Sequence, residues 1–330
     1  MEFRKEVEVA KILVADKIIE SRIEIRFDPL TLQTSRIINK SLNMNFGEFD
    51  EEIASSKSWC PFCSEKVEAM AARDPEIMKA KLWRRGEAIL FANLMPYAKY
   101  SLIARLTDEH YLKLSEFRAQ HFFDAFKLAQ DYISDLPEGK FYITIGMNYL
   151  KSAGSSIMHP HMQIVISENS TDYVARLEWS ALEYKEQKGK DFWTDLVNFE
   201  KEGDRYVGRT EKTEWLAAFA PKGFYHFIGI PEEWEFVKMS EKQLYGIATG
   251  LIKILRFYEK KGMNSFNFIL FCADRIGDHF RTNLNIVARS PFGKYYWCDV
   301  FFPKMFQDES ITFFTPEEYA KELKEVWNEI

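Results

Sequence analysis

The sequence predicts an α+β fold of two similar halves, each an antiparallel sheet with a packed helix, and three observations predict it. Short β-like runs come in pairs, at residues 88–92 and 100–104 and again at 215–219 and 227–230. Each pair precedes a stretch of apolar residues at helical spacing. In the first these are Phe122, Ala125, Phe126, Ala129, Tyr132 and Ile133, and in the second Leu244, Ile247, Leu251, Ile254, Leu255 and Tyr258. Side chains three and four apart share one face of a helix, which is the stripe a sheet can cover. Two further strands follow each helix, at 141–145 and from His161 in the first half and at 266–270 and 283–287 in the second. The order strand, strand, helix, strand, strand therefore occurs twice. That repetition points to duplication, with residues 1–172 as one domain and 173–330 as a degenerate second copy.

Taken in order, residues 7–40 hold β-like runs such as Ile23-Glu24-Ile25-Arg26-Phe27 before the turn-prone Asp28-Pro29-Leu30-Thr31. Residues 43–58 are polar with weak periodicity, which predicts a loop leading to Trp59-Cys60-Pro61-Phe62-Cys63, and residues 64–80 read as helix or loop. Ser115 is the predicted cap of the first helix, which runs to Ser134 and is ended by Pro137 and Gly139. Ser240 plays the same part for the second helix, closed by Gly262.

Composition limits what such a chain does. With 46% hydrophobic residues among 330 the sequence is that of a globular protein with a large core. A net charge of −6 offers no basic excess for a nucleic-acid backbone, so a small molecule is the expected partner. The alternating charges of Met1-Glu2-Phe3-Arg4-Lys5-Glu6 lack a signal-peptide core, and no apolar run reaches the roughly 18 residues that span a bilayer. Four cysteines, two of them in Cys60-x-x-Cys63, suit a reducing cytoplasm better than a disulfide framework. A cytoplasmic protein with no membrane partner is the expectation.

The chemistry concentrates in Gly154-Ser155-Ser156-Ile157-Met158-His159-Pro160-His161-Met162-Gln163. On an extended segment His159, His161 and Gln163 share a face while Met158 and Met162 point away. A neutral imidazole is a competent nucleophile toward phosphorus, provided its other ring nitrogen donates a hydrogen bond that fixes the tautomer. A carbonyl held by Pro160 is the natural acceptor. Gln163 can donate to a phosphate oxygen as charge develops there, and Ser155, Ser156 and the amides beside Gly154 can bind phosphate in the same way. Lys151 adds a nearby positive charge. In the second half Arg281 and Asn283 stand where His159 and His161 stand in the first, which assigns the chemistry to the first half.

Cys60 and Cys63 have the spacing of a zinc knuckle, although the same spacing serves redox pairs. His110 and His159 are the candidates to complete a Cys2His2 set for Zn2+, His110 otherwise being a surface residue in a polar run. Cys272 and Cys298 lie in apolar surroundings and are expected to be buried.

The His159-Pro160-His161-x-Gln163 motif, preceded by Asn148 and a Gly/Ser loop and combined with Cys60-x-x-Cys63 and an isolated His110, resembles the galactose-1-phosphate uridylyltransferase family of the histidine-triad superfamily. The resemblance extends over nearly the whole chain, to the ending Thr315-Pro316-Glu317-Glu318, and implies two tandem histidine-triad-like halves. It further implies a ping-pong transfer in which His161 attacks the α-phosphorus of UDP-glucose, releases glucose 1-phosphate and carries UMP to galactose 1-phosphate. By the same resemblance Cys60, Cys63, His110 and His159 match zinc ligands, and Gln163 matches the contact to the transferred phosphoryl group. Asn148 and Ser156 match phosphate-contacting positions, and Asn93 a nucleoside-contacting one. Similar proteins form dimers, so a homodimer is implied. The chain departs from the family at Gln33-Thr34-Ser35-Arg36 and at Met162, where a glycine is usual, and its second half offers only His226 and His279 toward the second metal that some members hold. Two other functions fit the same residues. One is an ADP-glucose or dinucleoside-polyphosphate phosphorylase acting through the same histidine, and the other is a non-catalytic nucleotide-binding protein.

Overall fold

The computed structural model describes residues 1–38 and 47–329. The strands are β1 (Lys5–Val14), β2 (Lys17–Phe27) and β3 (Thr34–Ile38), followed by helices α1 (Asp50–Trp59) and α2 (Ser64–Met70). Then come β4 (Trp83–Arg85), β5 (Ala88–Ala92), β6 (Tyr100–Arg105), α3 (Ala119–Ser134), β7 (Tyr142–Tyr149) and β8 (His161–Ser167). Two helices, α4 (Asp172–Lys188) and α5 (Phe192–Glu200), lead to β9 (Tyr206–Thr210), β10 (Thr213–Ala217), β11 (Phe224–Pro231), α6 (Glu241–Lys260), β12 (Phe266–Cys272) and β13 (Asn283–Ala288). The chain closes with α7 (Phe302–Gln307), β14 (Ser310–Thr312) and α8 (Pro316–Val326).

The α+β class stands, with one change to the sheets. Instead of a separate sheet in each half, a single ten-stranded antiparallel sheet runs β4-β5-β6-β8-β7-β12-β13-β11-β10-β9, the second five strands repeating the order of the first in reverse. The join is the antiparallel pair β7 and β12, with Gly146 opposite Ile269. Both strands would otherwise present an open row of backbone donors and acceptors, and pairing them removes two edges at once. A Cβ on Gly146 would lie 3.3 Å from the carbonyl oxygen of Phe268, so the small residue suits the join. A second sheet, β1-β2-β3-β14, stands apart, and its β1–β2 hairpin is exposed along all of β1.

Helices α3 and α6 pack side by side on one face of the large sheet and close the main core. Leu244, Ile247, Leu251, Ile254 and Leu255 of α6 are all within 1% of full burial, each contributing about 1.5–3 kcal/mol. Trp215 enters this core between Gly229 and Gly250, where an added Cβ would come to 2.7 and 2.1 Å of its ring. The opposite face is covered at one end by Val67 and Phe62 over Ile89, Phe91 and Ile103, and at the other by α4 and α5. Between these two covers the described residues leave the sheet open.

The second helix begins as expected: the Ser240 hydroxyl accepts from the Gln243 amide, completing a capping box. The first does not start at Ser115, which lies in a short 3-10 turn, Leu114–Glu116; α3 starts at Ala119 with Arg118 before it. The predicted loop at 43–58 is corrected from residue 50 on by α1, and its first residues, 43–46, lie outside the described ones. Helix α1 hides from a periodicity argument because only Ser56 among its residues is buried, while Asp50, Glu51 and Glu52 favour its positive N-terminal end. Cys272 is buried as expected, whereas Cys298 is exposed, since the aromatic residues around it stand on the surface and not in a core. No helix among the described residues is long and apolar enough to cross a membrane.

Candidate active site

The segment before β8 turns the sequence motif into a three-sided arrangement. Met158 and Met162 point into the core beneath the sheet, as the alternation requires. On the other side His159, just before the strand begins, faces the Cys60–Cys63 loop, His161 is buried against Phe62 of that loop, and Gln163 faces the open part of the sheet.

Cys60, Cys63, His110 and His159 converge so that their ligand atoms all lie within 4.8 Å of one another. Sγ of Cys63 is 3.5 Å from Nδ1 of His110 and 3.7 Å from Nδ1 of His159, and Sγ of Cys60 is 3.8 Å from the latter. Tetrahedral zinc with ordinary bond lengths separates sulfur from nitrogen by about 3.6 Å, so the spacing fits such an ion. The tautomers fit as well. His159 Nε2–H donates to the Thr107 carbonyl at 2.8 Å, and His110 Nε2–H to the Ser56 hydroxyl at 2.8 Å, which in turn donates to the Ile53 carbonyl. Both Nδ1 lone pairs are thereby left for a metal. Burial pushes the Cys60 thiol up to about 11 and holds His159 down to about 3, an environment that resists charge unless a cation supplies the balance. The four residues could thus hold one metal ion, and His110, buried among them, is not a surface residue.

His161 sits one step beyond. Its Nδ1–H donates to the carbonyl of His159 at 2.8 Å, the carbonyl that precedes Pro160, and its Nε2 has no hydrogen-bond partner among the described residues. Burial holds the imidazole below its ordinary 6.5 and hence neutral at pH 7. The ring of Phe62, from between the two cysteines, packs edge-on against that of His161 with their centres 5.1 Å apart, so the knuckle also positions this side chain. Arg105, opposite His161 across the β6–β8 ladder and buried, donates to the carbonyls of Phe62 and Glu87.

A cleft of about 310 Å³ opens along the sheet from Gln163 and Asn148 across to Asn267, Asn285, His226 and Lys222. Gln163 and Asn148 therefore share a wall with the second half. Ser155 spends its hydroxyl on the Ile157 carbonyl at 2.6 Å, and Ser156 is exposed in the same loop, where Gly154 takes φ +87°. Neither lines the cleft. Asn93 lies in a different groove, beside Ala92, Lys99 and Ser101, with its oxygen accepting from the Met95 amide. Sequence reasoning missed Tyr97, whose hydroxyl donates to Gln163 Oε1 at 2.7 Å, and Arg105 and Lys222. Nothing near Lys222 or Tyr97 in the chain marks either.

The second half keeps the motif's backbone logic with other side chains. Asn283 Nδ2 donates to the Arg281 carbonyl at 2.9 Å, as His161 Nδ1 donates to that of His159. His226 does not stand free, since it accepts from the Lys222 amide and donates to Asn285.

This ten-stranded arrangement with its two-helix cover is the fold of the galactose-1-phosphate uridylyltransferase family. An ADP-glucose phosphorylase of Arabidopsis thaliana, solved with bound ADP-glucose, superposes with a TM-score of 0.70 at 17% identity, over 92% of this chain and 99% of that one. A uridylyltransferase mutant superposes with a TM-score of 0.68 at 17% identity, over 92% and 98%. In sequence, the chain belongs to one family with a protein of Archaeoglobus fulgidus described as uncharacterized, 68% identical over 330 residues and the whole of both chains. No protein-family model matches it.

Proposed function

We propose that this protein is a nucleotidyltransferase that moves UMP between UDP-glucose and galactose 1-phosphate through a covalent uridylyl-His161. The observation that carries the reading is a buried, neutral His161, fixed in one tautomer by the His159 carbonyl, with no partner for its Nε2 among the described residues and two positions before Gln163, which lines the cleft. In the first half-reaction the Nε2 lone pair forms a bond to the α-phosphorus. The bond from that phosphorus to the bridging oxygen breaks, and its electron pair leaves on glucose 1-phosphate. The ring then carries a positive charge, which the Nδ1–H bond to the carbonyl stabilises without any proton transfer. In the second, a phosphate oxygen of galactose 1-phosphate attacks the same phosphorus and the pair returns to Nε2. Gln163, and Asn148 on the neighbouring strand, donate to the phosphoryl oxygens as charge grows.

In this reading Cys60, Cys63, His110 and His159 hold Zn2+, which ties the knuckle to β8 and so fixes the nucleophile. The resemblance assigns Ser156 and Asn93 to the donor, and the Gly/Ser loop adds Ser155, although none of the three lines the main cleft. Residues 1–172 form the catalytic half and 173–330 its degenerate repeat. The protein acts in the cytoplasm in galactose metabolism, as a homodimer; the apolar residues Leu13 and Ile18 exposed on the β1–β2 hairpin support a second copy as their cover. Sedimentation equilibrium giving a monomer mass at all concentrations would remove the dimer.

The test is intact mass after incubation with UDP-glucose or ADP-glucose and no acceptor. A UMP-sized gain, absent in His161→Ala and discharged by galactose 1-phosphate, is the expected result. An AMP-sized gain discharged by inorganic phosphate replaces the transferase by a phosphorylase, and no gain with either donor leaves a nucleotide-binding protein without covalent chemistry.

A further inference from the structure

The side-chain amides lining the cleft have spent their oxygens. Gln163 Oε1 accepts from Tyr97, Asn148 Oδ1 from Asn267, Asn267 Oδ1 from Arg289, and Asn285 Oδ1 from His226. The amide hydrogens of Gln163 and Asn148, by contrast, have no partner among the described residues. A wall that offers donors and withholds acceptors selects an acceptor-rich ligand, which in practice means an anion.

At the far end stands Lys222. Its amine lies 3.4 Å from the ring centre of Tyr173, and among the described residues it has neither a hydrogen bond nor an ion pair. It borders the main cleft, a small apolar pocket beneath α4 and α5, and a third cleft of about 180 Å³ toward Arg289 and Lys304. The other polar groups there are committed. The Lys222 amide donates to His226, His226 to Asn285, Asn285 to Asn283 and Asn283 to the Arg281 carbonyl. This chain runs through the second copy's version of the catalytic motif and leaves the Lys222 amine at its end with the Tyr173 ring beside it and no hydrogen-bond acceptor among the described residues.

We propose that Lys222 anchors the phosphate of the group exchanged against the nucleotide, so that the second half of the sheet is the acceptor subsite. The proposal rests on the nucleotidyl-transfer reading and adds to it the side of the cleft from which the acceptor attacks. A phosphate monoester or inorganic phosphate laid between Lys222 and the Gln163–Asn148 donors would reach toward a phosphoryl group on His161 from the side opposite the knuckle. Burial, with Lys304 and Arg176 nearby and Asp28 and Asp308 offsetting it only in part, holds the free amine down to about 7. Binding a dianion would restore its proton.

The experiment is calorimetric titration of glucose 1-phosphate, and separately of inorganic phosphate, into the wild type, Lys222→Arg and Lys222→Met at pH 8. The wild type is expected to bind at least one of the two, Lys222→Arg to bind it within about threefold, and Lys222→Met to lose about tenfold or more. The better ligand identifies a sugar-phosphate or a phosphate acceptor. Proton uptake, read from the dependence of the heat on the buffer, should vanish in Lys222→Met. A cooperative melt for each variant shows that it folds. Equal affinity in Lys222→Met and wild type, or no binding of either anion by the wild type, overturns the proposal. Intact-mass labelling of His161 separates the two failures: an adduct with unchanged anion binding removes Lys222 alone, whereas a Lys222-dependent anion site without an adduct removes the transferase.

Discussion

Tyr97 and Gln163 are 66 residues apart, and their contact decides which way the Gln163 amide faces. A glutamine at a phosphoryl site is useful only if its NH2 points at the phosphorus, and a donor hydroxyl on its oxygen enforces that orientation. Removing the hydroxyl in Tyr97→Phe lets the amide rotate, with an expected loss of about tenfold in single-turnover labelling of His161, or about 1.4 kcal/mol of barrier. Removing the donor itself in Gln163→Ala should cost about 10²–10³. Both losses belong in the rate at saturating donor and not in its half-saturation, and an unchanged rate in Tyr97→Phe would deny the hydroxyl this orienting part. His161 and Gln163 were legible in the sequence because the two-residue period of a strand puts neighbours in the chain side by side in the site. Tyr97, Arg105 and Lys222 were not, because each gains its meaning from a partner distant in the chain, and such contacts are not written in local spacing.

Among the elements, helices α3 and α6 and the strands around them could be read because each has one buried and one different face. Helix α1 could not. Its residues bury little, and its place is set instead by Ser56 against His110 and by the cysteine knuckle that follows it. A metal in that cluster would join α1, α2, the segment before β8 and the loop carrying His110, none of which is held by a broad apolar stripe of its own. We therefore expect one zinc per chain by elemental analysis, lost in both Cys60→Ser and Cys63→Ser. The loss should lower the melting temperature by about 4 °C or more, about 2 kcal/mol for a chain of this size. Stoichiometric metal retained by Cys63→Ser would show that the ion sits elsewhere.

At the scale of the whole molecule, the ends of the chain meet in a part-buried ion cluster. Arg26 of β2 donates to both oxygens of Glu317 on α8, at 2.9 and 2.8 Å, and Arg205 reaches Glu317 at 2.8 Å and Glu200 of α5 at 2.7 Å. The arginines also lie over the ring of Phe219, so the cluster fixes the base of the exposed β1–β2 hairpin to the second half. Burial alone would raise the Glu317 carboxyl, but the two guanidiniums outweigh it and bring the group from its ordinary 4.5 down to about 2. A carboxylate whose folded value is depressed contributes stability above its unfolded value and loses it as the pH falls through the folded one. Glu200 works the other way, since burial leaves it raised despite Arg205, and acid relieves part of its cost. Replacing Glu317 with Gln should therefore destabilise the protein at pH 7 by about 1–2 kcal/mol, the smaller range reflecting a side chain that is partly exposed. In urea unfolding the gap between wild type and variant should close progressively from pH 4.5 toward 2, with Glu200→Gln changing it in the opposite sense. A gap that persists undiminished at pH 2.5 would mean that Glu317 acts through packing on Arg26 and not through its charge.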